Sequence, residues 1–291
     1  MSVQHPVDLL GAERLGPDDL IEVVAFLDAD PVTNVYLLAL AMRDGLRAAR
    51  DEWWGVRRAG RLEAVLYLGL TSGAVLPVGG DVEALRAVAE RVAERVGALP
   101  RRWQVIGPRG AVRAIVARLQ ADGHAPRLSR RQIYMSVTRA ALVRGERLPE
   151  LRPARPEDYA LVHDSGAALR AEELDEDPRQ LDPLAYARRV EEECRDGYTW
   201  VWIEAGRLRF RASVSALTSD AVQVSGVYTP PEFRNRGFAR CGLTELVVRM
   251  LDRTRAAALF VNDFNAPAIA VYRRIGFTDR AEWASAFYGG R

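Results

Sequence analysis

The segment at residues 224–249, VSGVYTPPEFRNRGFARCGLTELVVR, constrains the fold more than any other part of this 291-residue chain. Apolar residues over 222–228 predict a strand, which ends at the proline pair that follows because proline has no N–H to give to a sheet. From Phe238 onward, apolar residues recur at helical spacing, so a helix begins directly behind Gly237. The segment therefore predicts a strand, a glycine-containing loop and a helix.

This arrangement is suited to holding a phosphate group. The first turn of a helix carries unpaired N–H groups and the positive end of the helix dipole. Gly237 lets a ligand approach the backbone closely, and Ala239 keeps the next contact small. Arg234, Arg236 and Arg240 add cationic donors around the same loop. The loop is therefore a candidate anion-binding site.

Two blocks of residues resemble those of a known superfamily. Arg234-x-x-Gly237-x-Ala239 resembles the Arg/Gln-x-x-Gly-x-Gly/Ala signature of the GCN5-related N-acetyltransferases (GNAT), which cradles the pyrophosphate of acetyl-CoA. Glycine is commonest where this chain has Ala239. The second block, NAPAIAVYRRIGF over residues 265–277, resembles that superfamily's Asn-x-x-Ala-x-x-x-Tyr-x-x-x-Gly-Phe stretch. The resemblance is specific over about residues 222–280.

The resemblance implies roles for the matching residues. The superfamily acetylates amines by direct attack on the thioester, without an acyl-enzyme. Its strand before the loop separates from a neighbour and binds the pantetheine arm; here Val227 and Thr229 have that position, and the Val227 N–H would polarise the thioester carbonyl. Tyr272 matches the tyrosine that protonates the departing thiolate, or is an aromatic that only packs. Asn265 would bond the pantetheine or orient the next helix.

The residues that the resemblance assigns to acetyl-CoA are Val227, Thr229, Arg234, Asn235, Arg236, Gly237, Phe238, Ala239, Arg240, Asn265 and Tyr272.

The general base is not marked by the resemblance, because it varies in the superfamily and often acts through water. Glu173, Asp175 and Glu176 belong to the acidic run EELDED at 172–177, which we expect in a loop beside the acceptor. Such residues accept a proton or attract a cationic amine, and Glu173 is our candidate. The alternative is an acidic loop that is only solvated.

The length of the chain suits two domains. We expect α/β (α+β) architecture with two tandem acetyltransferase-like domains, each a mixed, mostly antiparallel twisted sheet flanked by helices. Residues 1–140 have the order of elements of an acetyltransferase domain but lack the loop signature, so they resemble a degenerate copy. A polar linker is expected at 141–150, and the catalytic domain at 151–291.

Composition excludes several classes of function. The net charge of +2 gives no general attraction to nucleic acid. The sequence has no apolar run long enough to span a bilayer and no secretory signal at its start, so a cytoplasmic location is expected. The three histidines are scattered, so no metal site is expected.

These observations predict an acyltransferase that moves an acetyl group from acetyl-CoA to a primary amine, on a small molecule or a peptide, in a ternary complex. One alternative is a non-catalytic acyl-CoA-binding or regulatory protein. A second is a tandem-domain, tRNA-dependent aminoacyl transferase, against which the intact loop and the modest charge argue. The sequence does not indicate which amine is the acceptor or what the oligomeric state is.

Overall fold

The computed structural model describes residues 10–47, 49–145 and 147–289. In these residues the strands are β1 (Ala12–Leu15), β2 (Glu52–Arg58), β3 (Arg61–Leu68), β4 (Ala74–Gly79), β5 (Trp103–Pro108), β6 (Leu128–Thr138), β7 (Arg152–Pro153), β8 (Thr199–Glu204), β9 (Arg207–Leu217), β10 (Ala221–Tyr228), β11 (Ala256–Asn262) and β12 (Thr278–Tyr288). The helices are α1 (Leu20–Asp28), α2 (Val35–Asp44), α3 (Val82–Arg95), α4 (Arg109–Ala121), α5 (Tyr159–Leu174), α6 (Pro178–Leu181), α7 (Pro183–Arg195), α8 (Phe238–Met250) and α9 (Ala266–Ile275).

The described residues form two compact units that are not contiguous in sequence. The first unit contains residues 10–30, 37–133 and 281–289. The second contains residues 31–36 and 134–280. The sequence predicts contiguous domains, whereas in the structure most of β12 belongs to the first unit and the end of β6 to the second.

The first unit is a mixed sheet with helices packed on it. Its strands lie in the order β1-β2-β3-β4-β5-β12-β6. β4 and β5 are parallel and are joined through α3, whereas β12 pairs with β5 in the antiparallel sense. The apolar faces of α3 and α4 are buried in a core that contains Leu66, Ile115 and Leu119. Trp103 of β5 stacks on Tyr288 of β12 with ring centroids 4.0 Å apart, which fixes the end of the last strand.

The second unit repeats this plan. Its strands lie in the order β6-β11-β10-β9-β8-β7, and β10 and β11 are the parallel pair joined through α8. The two faces of the sheet are covered by different helices, as adjacent residues of β9 show. A Cβ on Gly242 of α8 would lie 2.4 Å from the Phe210 ring, so α8 packs closely on that face. Arg211 points to the other face, where its Nη1 donates to the Val162 carbonyl of α5 at 2.8 Å.

The structure confirms the predicted fold class, α/β with mixed, mostly antiparallel sheet structure flanked by helices. It also confirms that α8 begins directly after Gly237. The expectation that the whole acidic run lies in a loop is wrong. Glu172 and Glu173 belong to the last turn of α5, because glutamate favours helix and the helix ends only at Asp175, whose φ is +56°. The short β1 and α6 were not predicted.

The segment expected to be a linker is fastened to the second unit. We call residues 139–145 and 147–151 the strap. The Val143 N–H donates to the Ile275 carbonyl of α9 at 2.9 Å. A Cβ on Gly276 would lie 2.2 Å from the Ala141 carbonyl oxygen, so the glycine of the Gly-Phe pair makes room for the strap. The strap is therefore packed against the second unit and is not a flexible linker.

A buried carboxylate fixes the second part of the strap. Glu245 of α8 is only 1% exposed and accepts hydrogen bonds from Arg147 at 2.9 Å and from the Leu148 N–H at 3.2 Å. Arg249, one turn further along α8, donates to the same carboxylate at 2.7 Å and to the Leu151 carbonyl at 2.7 Å. Burial alone would raise the pKa of Glu245, but these hydrogen bonds outweigh it and hold the pKa at about 2.

Candidate functional site

The parallel strands β10 and β11 separate part-way along their length. Their pairing runs from Ala221 opposite Ala256 to Gln223 opposite Ala258, yet β10 continues to Tyr228. On the other side of β10, the register with β9 shifts between Ser225 and Tyr228.

Among the described residues, Gly226 and Val227 therefore have no register partner in β9 or β11. Gly226 has φ of +59°, the left-handed conformation that glycine adopts without strain. The backbone groups of Val227 are therefore outside the ladder, in the position that the sequence predicts for polarising a thioester carbonyl.

The loop after β10 leaves the start of α8 open. Gly237 has φ of +83°, and a Cβ placed on it would meet no atom within 4 Å. In the part of the chain that the structure describes, no side chain caps α8 at this end. The N–H groups of its first turn and the positive end of the helix dipole are therefore available to an anionic ligand. The positive φ favours glycine at this position, and the space beside it is open. This geometry is consistent with a pyrophosphate that approaches the backbone closely.

The corresponding helix start in the first unit is already occupied by a negative charge. Asp81 caps α3 by accepting a hydrogen bond from the Ala84 N–H at 2.9 Å. Arg58 in turn donates to Asp81 at 2.8 Å and to Glu83 at 2.9 Å. A phosphate approaching α3 would meet two carboxylates, so this helix start is unsuited to an anion.

Phe238 and its neighbours hold the loop in place. The Phe238 ring contacts Trp202 of β8 with centroids 4.9 Å apart and Phe233 with centroids 6.0 Å apart. The guanidinium of Arg209 lies 4.0 Å from the centre of the Phe233 ring. The Phe238 side chain is thus used for packing, which leaves its backbone N–H as the group that can face a ligand. Asn235, with φ of +62°, turns the chain two residues before Gly237.

The four remaining loop residues differ in their exposure and in their hydrogen bonds. Arg236 and Arg240 are exposed, and Ala239 is half-buried. Arg234 instead donates to both carboxylate oxygens of Glu172 at 2.8 Å. Its Nε donates to the Thr229 carbonyl at 3.0 Å, which joins the loop to the last turn of α5. Glu172 had no predicted role, because its partner lies 62 positions away in sequence.

Thr229 is buried, and its hydroxyl has no partner among the described residues. Its carbonyl is occupied by Arg234. An unpaired polar atom of this kind, at the end of the separated strand, fits a segment that is completed by a ligand. Its contact with a pantetheine arm remains a prediction.

Tyr272 lies on α9 and is 7% exposed. Its ring packs beside Phe277, with centroids 6.1 Å apart, and no described residue hydrogen-bonds its hydroxyl. Burial raises the pKa of Tyr272, and the negative charge of Glu173 raises it further. The phenol therefore keeps its proton at neutral pH, which is the state a proton donor needs.

Asn265 begins α9. Its Oδ1 accepts a hydrogen bond from the Ala268 N–H at 3.2 Å, so the side chain caps the helix that carries Tyr272. The resemblance implies two roles for Asn265. The structure shows the contact that one of them requires, because this hydrogen bond orients the next helix. Its contact with acetyl-CoA stays a prediction.

The described residues contain no group of three His, Cys, Asp or Glu side chains that could hold a metal ion. Within the same part of the chain, no helix is both long and apolar enough to cross a membrane.

Comparison with known proteins supports the assignment of the fold. Residues 51–162 match a domain of unknown function, DUF4081, and residues 210–286 match the FR47-like protein family. The FR47-like match spans the glycine loop and Tyr272. No curated protein sequence matches the chain.

Several solved structures share the fold over nearly the whole chain. A GCN5-related N-acetyltransferase from Sphaerobacter thermophilus is 17% identical, with a TM-score of 0.59 over 96% of this chain and 95% of its own. A tandem GNAT protein from the clavulanic acid biosynthesis pathway is 18% identical, with a TM-score of 0.57 over 97% and 99% of the two chains. A GNAT-family acetyltransferase from Colwellia psychrerythraea is 12% identical, with a TM-score of 0.56 over 95% and 99%.

At these identities the structures show the fold alone. The fold is that of these GNAT structures, and the FR47-like match falls on the half that carries both sequence blocks. Together they confirm the GNAT superfamily and the tandem arrangement predicted from the sequence.

Proposed function

We propose that this chain transfers an acetyl group from acetyl-CoA to a primary amine by direct attack within a ternary complex. The observation that carries the proposal is the combination in one unit of a separated parallel pair, β10 and β11, with an uncapped, glycine-initiated helix, α8. The first supplies unpaired backbone groups for a pantetheine arm, and the second supplies N–H groups for its pyrophosphate.

In the proposed reaction the amine must first be neutral. Glu173, at the end of α5, accepts a proton from the ammonium form of the acceptor, directly or through water. The amine nitrogen then bonds to the thioester carbon while the Val227 N–H donates to the developing oxyanion. As the carbon–sulfur bond breaks, the Tyr272 hydroxyl gives its proton to the sulfur, and the extra proton on the new amide nitrogen passes to water, from which the tyrosinate is reprotonated.

The loop residues bind acetyl-CoA and take no part in making or breaking bonds. Backbone N–H groups of Gly237, Phe238 and Ala239 surround the pyrophosphate, and Arg236 and Arg240 add positive charge. Thr229 lies at the pantetheine end. Arg234 joins Glu172 and the Thr229 carbonyl, so it orders the loop in addition to contributing charge.

The experiment is a mass-spectrometric screen of primary amines, small molecules and peptides, with the purified full chain and acetyl-CoA. Calorimetry with acetyl-CoA is run in parallel. We expect acetyl-CoA to bind and at least one amine to gain the mass of an acetyl group in place of a hydrogen. Binding without transfer to any amine would favour the non-catalytic acyl-CoA-binding alternative. Absence of binding would contradict both.

A further inference from the structure

The side chain of Arg234 is held from three directions by the protein itself. Its Nη2 donates to both carboxylate oxygens of Glu172 at 2.8 Å. Its Nε donates to the Thr229 carbonyl at 3.0 Å, and its guanidinium carbon lies 5.5 Å from the centre of the Tyr228 ring. Because a guanidinium is planar and rigid, contacts at two of its nitrogens and with a ring fix the orientation of the whole group.

This side chain also holds the backbone that leads to α8. Thr229 is the first residue after β10 and Gly237 is the N-cap of α8, so Arg234 ties the loop back to its own start. The two residues that follow, Asn235 and Arg236, are exposed, and their side chains bond no described residue. Among the described residues, Arg234 therefore carries the last hydrogen-bonded side chain before the helix begins.

The two other arginines of the loop are not engaged in this way. Arg236 and Arg240 flank the open start of α8, are exposed, and form no ion pair with a described residue. A phosphate can pair with either of them without breaking an existing contact. A phosphate that approached Arg234 would also meet the carboxylate of Glu172, which repels it. The three arginines of the loop are therefore not equivalent.

Glu172 reaches the loop from a different element. It lies in the last turn of α5, which ends at the left-handed Asp175. The side chains of the pair are 42% exposed for Arg234 and 44% exposed for Glu172. Ion pairs as exposed as this one add little to the free energy of unfolding. The larger effect of the contact is on position, because it joins the helix end that carries Glu173 to the loop before α8.

We propose that Arg234 and Glu172 are positioning residues, which together hold the loop in the geometry that binds the pyrophosphate, and that Arg234 bonds no phosphate itself. The proposal rests on the proposed function and adds Glu172, a residue outside both sequence blocks. A loop that is already ordered loses less conformational freedom when its ligand binds, which raises the affinity. Because Glu172 adjoins Glu173, the same contact also fixes the helix end that carries the proposed proton acceptor.

The first test is a double-mutant cycle on the affinity for acetyl-CoA, measured by calorimetry with the full chain. We expect Glu172→Gln and Arg234→Gln each to weaken binding about threefold to tenfold, the cost of ordering a freed side chain on binding. The double variant should bind as each single variant does, because either change breaks the same contact. If Arg234 bonded a phosphate instead, Glu172→Gln would leave the affinity unchanged or raise it. That result, or additive effects of the two changes, overturns the proposal.

Two further variants calibrate the cycle. Arg236→Gln should weaken binding by the same factor with and without Glu172→Gln, because its charge acts independently of that contact. Asp279→Asn breaks a comparably exposed ion pair, with Arg273 at 3.1 Å, and should leave the affinity unchanged. The melting temperatures should stay within a few degrees of the parent, as expected for exposed ion pairs. If Arg236→Gln depends on Glu172 as strongly as Arg234→Gln does, the distinction between the arginines is overturned.

The second test needs no ligand. The loop contains hydrogen-bonded amides, such as the Phe233 N–H, which donates to the Pro230 carbonyl at 2.9 Å. Amide hydrogen exchange over residues 229–241 should be faster in Glu172→Gln than in the parent chain and unchanged in Asp279→Asn. Unchanged exchange in Glu172→Gln overturns the positioning role. If exchange responds but the parent chain binds no acetyl-CoA, the proposed function fails whereas the ordering of the loop by this pair stands.

Discussion

Tyr272 of α9 lies within electrostatic reach of Glu173 of α5, so that the carboxylate adds to burial in raising the pKa of the phenol. The two residues come from helices associated with opposite faces of one sheet. α5 covers the face to which Arg211 points, whereas α9 packs with α8, which covers the Phe210 face. The separation of β10 from β11 provides an opening between these faces. A proposed proton acceptor and a proposed proton donor are thus placed about the same point of the sheet.

Replacing Tyr272 with Phe should slow turnover by about 10²–10⁴-fold, the usual effect of losing a general acid. The ring is kept beside Phe277, so the melting temperature and the affinity for acetyl-CoA should stay the same. Steady-state kinetics, calorimetry and thermal melting measure the three quantities. A variant that retains the parental rate would show that this tyrosine only packs.

The pH profile gives a second check on Tyr272. Because its pKa is raised above the ordinary value of about 10, the protonated donor form persists at higher pH. The rate should therefore show no loss from ionisation of this residue between about pH 8 and 10. An alkaline fall well below about pH 10 that disappears in the Phe variant would contradict the raised pKa.

Replacing Gly237 with Val should abolish acetyl-CoA binding while the fold persists. The new side chain would enter the open space at the start of α8 and force a left-handed φ on a branched residue, which costs about 1–2 kcal/mol. Gly123 offers a matched control, because its φ is +85° and a Cβ there also meets no atom within 4 Å. Gly123→Val should lose similar stability and keep full binding by calorimetry. Normal binding by the Gly237→Val variant would remove the loop from the site.

One acetyl-CoA should bind per chain. The start of α3, which follows β4 as α8 follows β10, is capped by Asp81 and flanked by Glu83, so it is unsuited to a pyrophosphate. Titration calorimetry should return a stoichiometry of one. Asp81→Ala should lower stability by about 0.5–2 kcal/mol through loss of the cap without changing the affinity for acetyl-CoA. A second binding event in the parent chain would refute this reading of the first unit.

Glu245→Gln should destabilise the chain and remove part of its acid sensitivity. The folded pKa of Glu245 is about 2, below the unfolded value of about 4.3. Its charge therefore contributes stability that is fully present above about pH 5 and is lost as the pH falls toward about 2. Losing the charged hydrogen bonds should cost about 1–3 kcal/mol at neutral pH.

Denaturant unfolding at about pH 7 and about pH 3 measures this effect, and the difference between variant and parent should shrink at the lower pH. Glu192→Gln, an exposed site on α7, is the control and should change little at either pH. Parental stability of the Glu245→Gln variant at neutral pH would show that the strap does not depend on this carboxylate.

Local patterns in the sequence were sufficient for the elements that form the candidate site. Prolines stop β10 and a glycine with positive φ starts α8, and both effects act within a few residues. The start of α7 at Pro183 is likewise marked locally, by the Asp182 cap and by a proline at the first helical position. The end of α5 was missed, since a left-handed aspartate gives a weaker signal than glycine.

The sequence by itself determined that a strand, a glycine-containing loop and a helix follow one another near residue 237, because hydrophobic spacing and backbone restriction are properties of neighbouring residues. Only the tertiary structure determined that Arg234 bonds Glu172, that the strap lies on Gly276, and that β12 pairs with β5. These contacts join residues far apart in the chain. They depend on side-chain packing and on which strand edges remain unpaired, and neither property is encoded at a single position.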